Sequence, residues 1–127
     1  MSINIYEQNR ILSASPMELV RILYAAAVTA AHDARGHLRA GDIAARSKAI
    51  NKAQMIVVEL ANSVDRSQSA EIGSRLIALY DYILTRLAQA NVEQQDAPLA
   101  EVIGLMTVLQ EGWSQVTDQK EPALAAR

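Results

Sequence analysis

The chain has no cysteine and no phenylalanine, only five glycines and three prolines, and few aromatic residues of any kind. Without cysteine there is no disulfide framework, thiolate metal site or cysteine nucleophile, and the composition fits a reducing compartment. Scarce Gly and Pro, beside abundant Ala, Leu, Ile, Val, Gln and Glu, favour helices over sheets. The net charge is −2. A surface built to neutralise phosphates would be basic, so nucleic acid is not an expected partner. No apolar run approaches the roughly 18 residues of a membrane helix, so no membrane insertion is expected. Residues Met1 to Arg10 lack the basic start and apolar stretch of a secretory signal, and the expected location is cytoplasmic. Catalytic motifs are equally scarce. There is no Gly-x-Ser-x-Gly elbow, no Walker A loop, no Gly-x-Gly-x-x-Gly loop and no His-Glu-x-x-His pair. No Glu has a His three residues later, which excludes the di-iron pattern of helical bundles. The chain is expected to be no enzyme and to use no cofactor or metal.

What is present reads as helix. The 127 residues, half of them apolar, suffice for one domain with one core. Ser15-Pro16-Met17-Glu18 forms a capping box with Pro at the first helical position. Leu19, Ile22, Leu23, Ala26, Ala30 and Ala34 then recur at helical spacing. Arg35, His37 and Arg39 complement the dipole near the end, Gly41 caps it, and Asp42 starts the next helix. The second helix carries Ile43, Ile50, Ala53, Val57, Leu60 and Val64 on one face, and Asp65 to Ser69 is the turn. The third starts near Ala70 and carries Ile72, Leu76, Leu79, Tyr80, Ile83, Leu87 and Ala90. Asn91 to Ala97 is a polar connection, and Pro98 opens a fourth helix with Leu99, Val102, Ile103, Met106, Leu109, Trp113 and Val116. Short links between long helices predict an all-α, antiparallel up-down four-helix bundle over residues 15–116. An N-terminal arm, 1–14, docks on it, and a flexible tail, 117–127, follows.

Several apolar residues lie off these stripes: Val20, Tyr24 and Val28; Met55 and Val58; Ile77 and Leu84; Leu105 and Val108. Wide faces serve two neighbours in a bundle, but such a surplus also fits an exposed groove that takes a partner segment. The arm adds Ile3, Ile5, Tyr6, Ile11 and Leu12, which either close one end of the core or cover a groove. By geometry, Met55, Val58, Ile77 and Leu84 are groove candidates, and Tyr6, Ile11 and Leu12 are arm contacts or cover. Tyr80, Tyr82 and Trp113 offer amphipathic surface or act as core anchors. Asn9, Gln54 and Asn91 bond either a partner's backbone or local caps and loops. His32-Asp33-Ala34-Arg35-Gly36 fits the His-x-x-basic-Gly pattern of histidine phosphotransfer domains, which makes phosphotransfer through His32 the alternative function.

The assembled motifs resemble the flagellar export chaperones of the FliS type, over roughly residues 5 to 116. The resemblance rests on Tyr6 with Asn9, Ser13-Ala14-Ser15-Pro16, Leu23-Tyr24, Gly41-Asp42, Lys52-Ala53-Gln54 and Glu59-Leu60. Its most specific block is Leu79-Tyr80-Asp81-Tyr82-Ile83-Leu84-x-Arg86-Leu87-x-x-Ala90-Asn91, and Glu101-Val102-Ile103-Gly104-Leu105 and Trp113 complete it. One departure is at Ala25-Ala26, where the family usually has Asp-Gly after the tyrosine. The resemblance implies an antiparallel bundle that holds the disordered C-terminal region of flagellin on apolar surface, hiding its polymerisation segment and keeping it competent for export. The flagellar export gate is a further expected partner, and the free chain is expected to be a monomer or weak homodimer. The expected contact residues are Tyr6, Asn9, Ile11, Leu12, Gln54, Met55, Val58, Ile77, Tyr80, Leu84 and Asn91.

Overall fold

Ser15 starts the first helix as the sequence predicts: its hydroxyl accepts from the Glu18 amide, while the Glu18 carboxylate accepts from the Ser15 amide, both at 3.2 Å. The computed structural model describes residues 15–64 and 70–119. The expected arm with Tyr6, Asn9, Ile11 and Leu12, the turn at 65–69, and residues 120–127 of the expected tail lie outside the described residues. Four helices follow in order: α1 Pro16–Ala40, α2 Ile43–Asn62, α3 Ala70–Glu93 and α4 Asp96–Gln119.

The helix ends follow from local chemistry. Gly41 adopts φ 73°, and the amides of Gly41 and Asp42 turn back to the carbonyls of Leu38 and His37. This closes α1 with a left-handed cap that glycine takes without a Cβ clash. Asp42 then accepts from the Ala45 amide at 3.1 Å to start α2. Between α3 and α4 the expected seven-residue connection shrinks to Gln94 and Gln95. Gln94 takes φ 54°, and the Gln95 amide reaches the Ala90 carbonyl, so a non-glycine residue makes the same kind of cap. Pro98 is consequently the third residue of α4 rather than its first. At the other end α4 runs to Gln119, past the expected boundary at 116.

α1 packs against α2 and α4, α2 against α3, and α3 against α4. Arg35 near the end of α1 meets Asp96 at the start of α4, while Trp113 near the end of α4 reaches Tyr24 near the start of α1. Those helices are therefore antiparallel, and the ring of four contacts is the expected up-down bundle. The core combines Tyr24, Ala27, Ala31 and Ala34 with Ile50, Ala53, Val57 and Leu60, then Tyr80, Ile83, Leu87 and Ala90, and Leu99, Val102 and Met106.

The buried stripe of α1 differs from the expected one. Tyr24, read as off-stripe, is fully buried, whereas Leu19, Ile22 and Ala26 are only half-buried. Alanine occupies so much of α1 that apolar periodicity barely distinguishes its sides; the single bulky aromatic decides the orientation by filling the centre. Ile43 and Ile72 stand on the predicted core faces but are exposed, because each lies in the first turn of its helix.

Candidate partner-binding surface

α2 and α3 meet along a seam whose register is set by polar bonds at one end. The Ser47 hydroxyl donates to the Asn91 side-chain oxygen at 3.0 Å. The Arg46 Nε donates to the same oxygen at 3.2 Å, and its other nitrogens reach the Asn91 carbonyl and the Gln94 side chain. Because the helices run antiparallel with equal rise, each two-turn step forward from Ser47 is matched by one backward from Asn91. Gln54 thus lies level with Leu84, and Ala61 with Ile77. All six of these residues are half-buried, as the shoulders of a helix–helix seam must be.

Four expected contact residues, Gln54, Ile77, Leu84 and Asn91, therefore share this seam. Two more, Met55 and Val58, stand on the outer side of α2 beside it, exposed by 73% and 45%. With Asn51, Gln54 and Glu59 they line a shallow concavity of about 510 Å³. Val92 and Ile43, both exposed, add apolar surface at the Ser47–Asn91 end. Exposed apolar groups grouped on one side of a bundle, among polar neighbours, have the character of a docking surface.

Two expected contacts have other employment. Tyr80 is 2% exposed, so as folded it offers no surface. Its hydroxyl meets that of Tyr24 at 2.5 Å, and Trp113 donates its indole N–H to the Tyr24 oxygen at 3.1 Å. The Asn91 side-chain oxygen already accepts two bonds within the chain, which leaves only its amide hydrogens for a partner.

Sequence reasoning missed two polar features. Arg46 is 4% exposed, lying on the same stripe as Ile50, Ala53 and Val57, and is held by amide and carbonyl oxygens rather than a carboxylate. The signal was its place one turn before Ile50 on the buried face. On the opposite flank of α3, Tyr82 and Arg86 both donate to Glu101 of α4, at 2.8 and 2.6 Å, and Arg86 also bonds Gln89. This ties together parts of two blocks singled out in the sequence.

None of these groups is arranged for chemistry. Burial pushes the Tyr24 and Tyr80 hydroxyls above the ordinary phenol value, so both stay neutral. Tyr82 is raised by its bond to Glu101; bonds from Tyr82 and Arg86 in turn hold the Glu101 carboxyl low. Asp96 is held low by the paired bond from Arg35. Among the described residues no group of three or more His, Asp or Glu is placed to hold a metal ion, and no helix is long and apolar enough to cross a membrane.

The family described as "Flagellar protein FliS" matches residues 2–120. The chain is 35% identical over 111 residues to the flagellar secretion chaperone FliS of Salmonella typhimurium, covering 87% of this chain and 82% of the relative. It is 33% identical to the protein of the same name from Bacillus subtilis, over 87% and 81% of the two chains. With the Campylobacter jejuni protein of that name the identity is 28%, over 97% and 96%.

Proposed function

The chain belongs to the FliS family of flagellar secretion chaperones, and on that premise we propose that it holds the C-terminal segment of flagellin along the α2–α3 side of its bundle. The bound segment is kept from polymerising and stays competent for export. The single observation that carries this reading is the exposure of Met55 and Val58 beside the Gln54–Leu84 and Ala61–Ile77 steps of the seam. A disordered client pays ordering entropy on binding, which the chaperone offsets by burying apolar surface at roughly 25 cal/mol per Å². That balance limits net affinity and suits a cargo that must be released.

Gln54, Met55, Val58, Ile77 and Leu84 make the contacts, with the amide of Asn91 at the polar end. Tyr6, Asn9, Ile11 and Leu12 of the arm act as further contacts or as cover. The protein acts in the cytoplasm, is a monomer or weak homodimer when free, and presents its cargo to the flagellar export gate. His32 is exposed on α1, as phosphotransfer would need, but family membership does not favour that function. Native mass spectrometry with the C-terminal segment of flagellin tests the reading. A one-to-one complex is expected; folded protein that binds no segment contradicts it.

A further inference from the structure

A second concavity lies on the outer face of α1, between α2 and α4, away from the seam. It has a volume of about 670 Å³ and is lined by Glu18, Arg21, Ile22, Ala25, Ala26 and Thr29 of α1, Lys52 of α2 and Gln110 of α4. Its floor is small and apolar: Ala25 and Ala26 let another backbone come close. Its cations, Arg21 and Lys52, outnumber its one acid, Glu18. Glu18 has its carboxylate turned to the Ser15 amide in the capping box. Among the described residues no carboxylate pairs with Arg21 or Lys52, although the chain as a whole is acidic. No acid stands at Ala25, one turn after Arg21, where it would neutralise the guanidinium within the helix.

The two cations sit at opposite ends. The tight turn at Gly41–Asp42 makes α1 and α2 antiparallel and brings Lys52 level with the Thr29 end of the cleft. Arg21 is two turns of α1 away, about 12 Å. Such a site fits an object with negative charges two turns apart and a small aliphatic group between them. A single phosphate or sulfate ion spans no such distance and gains nothing from Ile22, Ala25 and Ala26. A helical segment of a protein partner does, with acids at positions i and i+7 and an aliphatic residue between them over the alanines.

We propose that this cleft docks an acidic helical segment of a second protein, pairing with Arg21 and Lys52, on a face the flagellin segment leaves free. The inference rests on the client lying along the α2–α3 side, which leaves this face free. The charge pairing sets orientation and partner choice, and the close approach over Ala25 and Ala26 supplies the packing.

The test uses the full chain and a helical peptide of about 15 residues, carrying Glu two turns apart with Leu between them. A control peptide has Gln for each Glu. The expected result is a set of amide shifts confined to Arg21–Thr29, Lys52 and Gln110. The R21E/K52E variant should bind the acidic peptide at least about tenfold more weakly, as should the wild type bind the Gln peptide. The same variant should bind the flagellin C-terminal segment as the wild type does, which keeps failure here distinct from failure of the client reading. Equal binding of the two peptides, no loss in R21E/K52E, or no binding at all overturns the proposal. So do contacts between residues 1–14 and Ala25 or Ala26 in the free protein, which would make the chain's own arm the occupant.

Discussion

Tyr24 of α1 and Tyr80 of α3 join hydroxyl to hydroxyl at 2.5 Å across the centre of the bundle, and Trp113 of α4 donates to the same Tyr24 oxygen. Three helices are thereby connected through one buried polar chain, among side chains that are otherwise apolar. Tyr24 is its middle member, so its hydroxyl has the most to lose.

Y24F leaves both the Trp113 N–H and the Tyr80 hydroxyl without a partner. Y80F leaves only the Tyr24 hydroxyl short of one bond. Leaving a buried polar group unpaired costs about 1–3 kcal/mol, so Y24F is expected to destabilise more than Y80F. The double variant should lose less than the sum of the two. Urea unfolding of the three variants checks this; equal and additive losses contradict a shared chain.

Arg46 and Asn91 invite an asymmetric test. N91A withdraws the side-chain oxygen shared by the buried Arg46 guanidinium and the Ser47 hydroxyl, at an expected cost of about 1–3 kcal/mol. R46M removes the buried cation and keeps an apolar stem of similar length, so it is expected to cost less. Chemical denaturation of both variants is the measurement, and a larger loss in R46M refutes the account of that end of the seam.

Acid should weaken the fold through two carboxylates. Asp96 is held low by Arg35, and Glu101 by Tyr82 and then Arg86. In the unfolded chain they return to ordinary values near 3.8 and 4.5. The unfolded chain therefore binds protons first as pH falls. The stability these groups contribute is complete above their ordinary values and is lost as pH drops through the depressed folded ones. Unfolding free energy followed from about pH 7 to about pH 3 should decline, and a D96N/E101Q variant should decline less steeply. Parallel curves for variant and wild type contradict the assignment.

Met55 and Val58 can be changed with little effect on the fold because they are exposed. M55E and V58D are expected to shift stability by no more than about 0.5 kcal/mol. Together they should weaken binding of the flagellin segment at least about tenfold, by placing charge where the client buries apolar surface. Isothermal titration beside a thermal melt separates the two effects. Unchanged affinity in a folded double variant counts against this face.

The helices were legible in the sequence wherever a cap names itself. Ser15 with Glu18, Gly41 and Asp42 have side chains or backbone freedom suited to one position, and the structure uses them there. The α3–α4 turn was not legible, because Gln94 takes a left-handed conformation that its side chain does not advertise. Orientation about the helix axis was clear where large and small residues alternate, as along Ile50, Val57 and Leu60. It was unclear in α1, where alanine lies on several sides and Tyr24 alone sets the inward direction. Of the expected surface, Met55 and Val58 stood out as large apolar residues off their stripe. Tyr80 could not be placed, since a tyrosine serves equally inside, given a partner hydroxyl, and at a wet surface. Cross-helix pairs such as Arg35 with Asp96 and Arg86 with Glu101 depend on register between helices, which a single sequence does not carry.

The most direct test of where the client sits is the amide spectrum of the labelled chain, titrated with the C-terminal segment of flagellin. Shifts running along Ser47 to Ala61 and Ile77 to Asn91, with the outer face of α1 unmoved, are the predicted result. Shifts confined to α1 and α4, with Met55, Val58, Ile77 and Leu84 unchanged, would contradict it.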